Sequence, residues 1–212
     1  MSATEERDWW GTLDDDAAVA NTAGVPAYDV NDAAEMLTEV VRDYSKPPMR
    51  AVAGEPVLDL GCGLGRLTAA VSGRLDDYNF RSVVVGVDIA PRMVEEAART
   101  NYGQLYLVGD GRTLHQFASG QFSLVYSVTV FQHIPHDAKV DYLNEIHRVL
   151  SDDGRLIFTW SEGDTEQFLC HQWTEAEMRE AVEGAGFEIF EDAPTTGVVD
   201  GWRWTYARKV AK

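Results

Sequence analysis

The 212-residue chain predicts an α/β fold of three layers, with helices on both faces of a mostly parallel sheet. Three observations carry that prediction. Apolar runs of strand length alternate with segments of helical periodicity from residue 57 to about residue 190. The run at 83–87, Val-Val-Val-Gly-Val, is continuously apolar, as a parallel strand buried on both faces requires. Residues 57–71 read as strand, glycine turn and helix. The length suits one domain with a small addition, and no internal repeat or low-complexity linker divides it. The expected division is an N-terminal helical cap segment, residues 1–50, and a main domain, residues 51–212.

In chain order, residues 1–24 are acidic and alanine-rich apart from Trp9 and Trp10, with three aspartates at 14–16. Two adjacent tryptophans are costly to expose, so this arm is either loosely solvated or folded over a ligand site as a lid. Asp32 and Glu35 are spaced like a capping box, Ala33, Met36, Leu37, Val40 and Val41 recur at helical spacing, and Pro47-Pro48 ends that helix. Strands are expected at 57–60, 83–87, 104–108, 122–126 and 155–160, with helices at about 66–75 and 92–100. A further helix carries the stripe Val140, Leu143, Ile146 and Leu150 and ends at Ser151-Asp152-Asp153-Gly154. A helix at 175–183 sits behind a Thr174 cap, and Gly184 and Gly186 stop it. Two closing strands follow at 187–190 and 202–207, in the second of which Trp202, Trp204 and Tyr206 alternate and fill core on one sheet face.

Composition narrows the function. The 18 Lys and Arg stand against 35 Asp and Glu, a formal net charge of -17 that opposes a nucleic-acid partner held through its phosphates. Cys62 and Cys170 are too few and too isolated for a disulfide framework or metal cluster, and Cys62 reads as a small packing residue rather than a nucleophile. No metal site is expected. No apolar run approaches a membrane span, and the acidic N-terminus lacks the features of a signal peptide, so the expected location is cytoplasmic.

The chemistry-bearing stretch is Val57-Leu58-Asp59-Leu60-Gly61-Cys62-Gly63-Leu64-Gly65-Arg66. A dinucleotide fingerprint, G-x-G-x-x-G/A, needs a small residue where Arg66 stands. The glycines run G-x-G-x-G behind Asp59, and here the sequence resembles the class I S-adenosylmethionine (SAM) dependent methyltransferases, whose first motif is D/E-x-G-x-G-x-G. A carboxylate and loop N–H groups suit the ammonium and carboxylate of SAM. The resemblance spans about residues 55–190. It implies a Rossmann-like seven-stranded sheet of order 3-2-1-4-5-7-6 with strand 7 antiparallel, an N-terminal segment that covers SAM, and S-adenosylhomocysteine as product.

Asp88 lies at the next strand tip, about 20 residues beyond the glycine loop, where a carboxylate accepts from both ribose hydroxyls. It is equally placed to cap the helix that begins near Pro91. By the resemblance, Asp110 holds the adenine amine beside Gly111 and Ile89 packs on the purine; Asp110 between two glycines also reads as a plain turn residue. The resemblance assigns cofactor contacts to Asp59, Gly61, Cys62, Gly63, Gly65, Asp88, Ile89, Asp110, Gly111 and Ser127.

After the fourth strand, residues 127–136 read Ser-Val-Thr-Val-Phe-Gln-His-Ile-Pro-His. The N/D-P-P-Y/F element of DNA amino-methyltransferases is not there, and the pattern resembles the small-molecule and ubiquinone-type branch. His133 and His136, with ordinary pKa values near 6.5, are the candidate general bases, and His171 is the next choice. His147 reads as structural and His115 as a surface or packing residue. Trp9, Trp10, Phe131, Phe168 and Trp173 are expected to border an acceptor site for a small aromatic or amine-bearing molecule. Alternatives are a catalytically silent SAM-binding partner module, an enzyme running other chemistry in the same pocket, and a protein or nucleic-acid methyltransferase.

Overall fold

Seven strands form one sheet in the computed structural model, which describes residues 8–10, 12, 54–77, 81–164, 166–167, 170–194 and 202–210. The helix expected from Asp32 to Pro47, most of the N-terminal arm and Phe168 lie outside the described residues. The strands are β1 (Val57–Leu60), β2 (Val84–Asp88), β3 (Leu105–Val108), β4 (Phe122–Ser127), β5 (Leu150–Ser161), β6 (Phe187–Pro194) and β7 (Trp202–Lys209). Their order is β3-β2-β1-β4-β5-β7-β6, the order that the sequence resemblance implies. The first five are parallel, and β7 runs antiparallel to both β5 and β6. A two-residue hairpin, Glu166–Gln167 with Cys170–His171, stands apart.

Helices α1 (Arg66–Asp77) and α2 (Pro91–Thr100) cover one face, and α3 (His136–Val149) and α4 (Glu175–Gly184) cover the other. The pleat sorts side chains between them: Leu58, Leu60, Val125, Leu156 and Phe158 pack toward α3 and α4, while Val57, Leu124, Tyr126, Ile157, Trp204 and Tyr206 pack with Val71 and Leu75 of α1. Trp204 and Tyr206 are thus core, stacked 6.3 Å apart. Gly86 in β2 makes room on the α2 side, since a Cβ there would meet Tyr106 at 2.7 Å and the Cys62 sulfur at 2.9 Å. The capping box at Thr174 and Glu177 is complete.

Two details differ from the expectation. In α3 the buried face is Ala138, Lys139, Tyr142, Leu143, Ile146 and Val149, while Val140 is 44% exposed. Lys139 interrupts the apolar stripe in the sequence although it is buried, its ammonium donating to the His171 carbonyl and lying over the Trp173 ring. At Ser151-Asp152-Asp153-Gly154 the expected helix stop is a bulge inside β5: the partner of Phe122 is Leu150, and that of Leu124 is Arg155. Between β3 and β4 no helix forms, and the irregular segment runs along α3. β3 pairs only with β2 among the described residues, and Leu105 and Val108 are about half exposed.

Trp160, the largest fully buried side chain, sends its indole N–H across to Thr205 Oγ1 of β7 at 2.9 Å. Thr205→Val keeps the shape and leaves that N–H without its acceptor, so unfolding should become easier by about 1–3 kcal/mol. A urea titration should show a lower midpoint at unchanged slope; an unchanged midpoint would contradict this account of the β5–β7 seam.

Candidate functional site

The glycine loop follows from crowding at the end of β1. Gly61, Gly63 and Gly65 all have positive φ, at 81°, 50° and 73°. A Cβ on Gly61 would sit 2.2 Å from Val130, and one on Gly65 2.6 Å from the Tyr106 hydroxyl. The N–H groups of Gly61 and Cys62 both donate to the Val87 carbonyl, at 2.7 and 3.0 Å, which hooks the loop over β2. Asp88 then secures it: Oδ2 accepts from Gly63 N at 2.8 Å, and Oδ1 accepts from Ala90 N at 2.9 Å. Ala90 is the N-cap of α2 and has no side-chain acceptor of its own, so Asp88 serves the helix start as well as the loop. Its two oxygens have further lone pairs beyond these bonds.

Above this floor lies a cleft whose roughly 720 Å³ of empty space includes open solvent. Its walls are Leu60, Gly61, Val87, Asp88, Ile89 and Met93 on one side, Thr129, Val130, His133 and Ile134 on another, with Gly111, Tyr142 and Trp10 completing it. Trp10 comes from the N-terminal arm. Its ring meets His133 edge-on at 5.2 Å and joins Leu64 in packing against Ala90 and Met93, and Trp9 stands against it at 4.8 Å. The described part of the arm therefore sits over the site.

Thr129 has a positive φ of 62°, a left-handed conformation that a β-branched residue adopts only when its surroundings enforce it. Here the enforcing contact is its N–H donating to Thr159 Oγ1 at 2.7 Å. This bend aims Val130 at Gly61 and starts the short 3₁₀ turn Phe131–His133. Phe131 is fully buried against Phe158, 4.6 Å between rings, and against Trp173 at 6.0 Å. Phe131 and Trp173 therefore anchor the His133 turn in the core rather than bordering the cleft.

Other expected residues fall elsewhere. Asp59 is 2% exposed and accepts from Thr68 Oγ1 of α1 at 2.7 Å, so it fastens helix to strand beneath the loop. Cys62 packs with Val94, Ala97 and Tyr106, and burial, with Asp88 and Asp59 nearby, pushes its thiol well up, leaving it protonated. Ser127 is fully buried and donates to the Leu60 carbonyl at 2.8 Å, stitching β4 to β1. Asp110 is spent on its own turn, accepting from the N–H groups of Arg112 and Thr113 and from the Thr113 hydroxyl, and it is Gly111 that meets the cleft. His136 bonds the Gln172 carbonyl at 2.8 Å in a separate groove between α3 and α4, and His171 is buried behind it. Of the histidines, His133 alone is in the cleft. His147 bonds the Val210 carbonyl and packs on Phe187, a structural place. Sequence reasoning named none of Leu60, Val87, Met93, Thr129, Val130, Ile134 and Tyr142 as walls; Tyr142 lies one position before a stripe residue of α3.

Residues 58–158 match a family model described as a methyltransferase domain. A ubiquinone biosynthesis O-methyltransferase of Nitrosococcus oceani is 25% identical over 142 residues, 63% of this chain and 52% of that protein. A carboxy-S-adenosyl-L-methionine synthase of Chromohalobacter salexigens is 29% identical over 112 residues, 50% of this chain and 40% of that protein. The chain thus spans about half the length, or less, of these curated relatives. Among solved structures, a magnesium protoporphyrin IX methyltransferase from Synechocystis with bound SAM superposes with a TM-score of 0.72 at 21% identity, over 98% of this chain and 96% of that one.

The loop also carries a titration. Burial pushes the Asp59 carboxyl from an ordinary 3.8 to about 7, opposed by the Thr68 hydrogen bond and the nearby Tyr126 hydroxyl and reinforced by Asp88. The folded protein therefore keeps a proton that the unfolded chain has already lost between about pH 4 and 7. The stability tied to this group is present below about pH 4 and falls as pH rises toward 7, by up to about 1.4 kcal/mol per pH unit. Asp88, raised by the same burial, adds the same sign. Asp59→Asn should accordingly raise the denaturation midpoint at about pH 8 and leave it near wild type at about pH 4; equal midpoints at both would show that Asp59 is not held protonated.

Proposed function

We propose that this chain, which belongs to the class I SAM-dependent methyltransferases, binds SAM in the cleft and moves its methyl group to a small-molecule acceptor, leaving S-adenosylhomocysteine. The observation that carries this reading is Asp88, which clamps the glycine loop through Gly63 and still lines the cleft with oxygen lone pairs free for a diol. Around it, the Gly61–Gly65 backbone would surround the amino-acid end, with Ile89 and Gly111 against the base. SAM, when bound, supplies an already activated methyl group. What remains for the chain is to hold the acceptor in line with it and to keep water out, and the apolar wall of Trp10, Met93, Val130, Ile134 and Tyr142 suits both tasks. His133 is placed to take a proton if the acceptor must lose one.

The wall also supports the acceptor class. Among the described residues no Arg or Lys lines the cleft and Asp88 is its one carboxylate, and the chain's surplus of acids repels polyanions. An apolar or aromatic body, neutral or amine-bearing, fits this surface. The relatives named for ubiquinone biosynthesis and for magnesium protoporphyrin IX are consistent with a ring-bearing small molecule. A second reading comes from the carboxy-SAM synthase relative, in which the cleft would modify SAM itself. A carboxylate-bearing co-substrate would call for a cation in the wall, and none is among the described wall residues.

Calorimetry should show binding of SAM and S-adenosylhomocysteine and none of NAD. Asp88→Asn, which keeps one acceptor oxygen for the loop, should weaken SAM about tenfold or more. Tight NAD binding with silence toward SAM would sink the assignment. For the acceptor, Trp10→Ala should raise KM or lower kcat far more than it weakens SAM binding. His133→Ala should slow transfer to an acidic O–H or N–H acceptor and remove an imidazole-like limb from the pH profile. Preference for DNA or RNA over small aromatic molecules in direct competition would remove the acceptor assignment.

A further inference from the structure

The segment between β3 and β4 has no helix of its own, and several of its polar groups bond to one face of α3. Arg112 spans two carboxylates a turn apart on that helix, Nη2 to Asp137 at 2.6 Å and Nη1 to Asp141 at 2.8 Å. Further along, Glu145 accepts from Leu114 N at 2.9 Å, and Arg148 donates to the carbonyls of Leu114 and Phe117 at 3.0 and 2.9 Å. Positions 137, 141, 145 and 148 recur at helical spacing, so the crossover is fastened to α3 as a zipper is. Its two ends differ. The Glu145 and Arg148 end engages backbone of a buried stretch that includes Leu114 and Phe117, whereas the Arg112 end is a pair of solvent-facing ion pairs.

That outer end flanks the cleft. Gly111, adjacent to Arg112, and Tyr142, adjacent to Asp141, are both cleft walls and come from the two elements that Arg112 joins. Asp110 keeps the turn around Gly111 rigid, so the turn moves as a unit when its tether to α3 changes. We propose that Arg112 is a positioning residue: with Asp137 and Asp141 it forms a salt-sensitive latch holding the Gly111–Tyr142 lip closed, and it thereby sets how fast the nucleoside part of SAM or of its product enters and leaves. The inference rests on the cofactor assignment above, and it adds a residue that touches no ligand. Exposed ion pairs contribute little to global stability, and solvent ions screen them, so a latch built from them opens without unfolding anything.

The test compares wild type, Arg112→Gln, Arg112→Lys and, as a control at the far side of the sheet, Arg208→Gln, which breaks a similar exposed pair with Glu188. S-adenosylhomocysteine dissociation should quicken about fivefold or more in Arg112→Gln, be partly restored in Arg112→Lys, and stay at the wild-type rate in Arg208→Gln. Raising salt from about 0.05 M to about 1 M should quicken release from wild type but not from Arg112→Gln. Thermal midpoints should remain alike. Hydrogen exchange of residues 109–113, measured without ligand, should rise in Arg112→Gln alone. Equal release rates and equal salt dependence in wild type and Arg112→Gln would overturn the latch. Should wild type fail to bind S-adenosylhomocysteine, the cofactor assignment falls by itself, and unchanged exchange at 109–113 in Arg112→Gln would then dismiss the latch independently.

Discussion

The grip of one carboxylate on two backbone N–H groups organises this molecule. Asp88 sits at the end of β2 and takes Gly63 N from the preceding loop and Ala90 N from the start of the next helix. Without it, the loop after β1 would lose its hold at Gly63, and three positive-φ glycines make the unfolded loop unusually rich in conformations. The same burial that costs the carboxylate solvation makes these bonds strong. The floor of the cleft is thus prepared before any ligand arrives, and its cost is carried by the loop's own donors.

The two halves of the cleft are built on different plans. The half around Asp88 is mostly backbone: glycine N–H groups, the β2 tip and the helix start. The opposite half is side chain, assembled from Trp10 near the N-terminus, His133 after β4 and Tyr142 in the middle of α3. Backbone geometry changes little when surface residues are exchanged, whereas three side chains on three separate segments can be replaced one at a time. Under the proposed function, such an arrangement would let one platform serve different acceptors.

The fold was almost wholly legible because its signals are local: continuous apolar runs for parallel strands, helical stripes, and the glycines at 61, 63 and 65. The cleft was legible where a residue's place follows from its strand, as with Asp88, Ile89 and Gly111. It was not where place depends on contacts distant in sequence. Nothing local says that Thr129 takes a left-handed conformation, because the cause is Thr159 on the next strand. Nothing local separates His133 from His136, three residues apart, although Phe131 anchors the first at the cleft and the helix start turns the second to another groove. Asp110 read both as an adenine contact and as a plain turn residue, and only its partners, the Arg112 and Thr113 N–H groups and the Thr113 hydroxyl, show that it holds its own turn.

The uncovered end of the sheet bears on how the chain behaves in company. β3 pairs on one side only among the described residues and shows Leu105 and Val108 to solvent, the kind of edge along which copies of a protein can add to one another. A surplus of carboxylates on every copy makes close approach costly at neutral pH, so the -17 charge acts as a colloidal barrier as well as a filter on partners. Acidification or concentrated salt would lower that barrier long before either melts the core, and self-association through the sheet edge, rather than unfolding, would then govern how long the protein stays in solution.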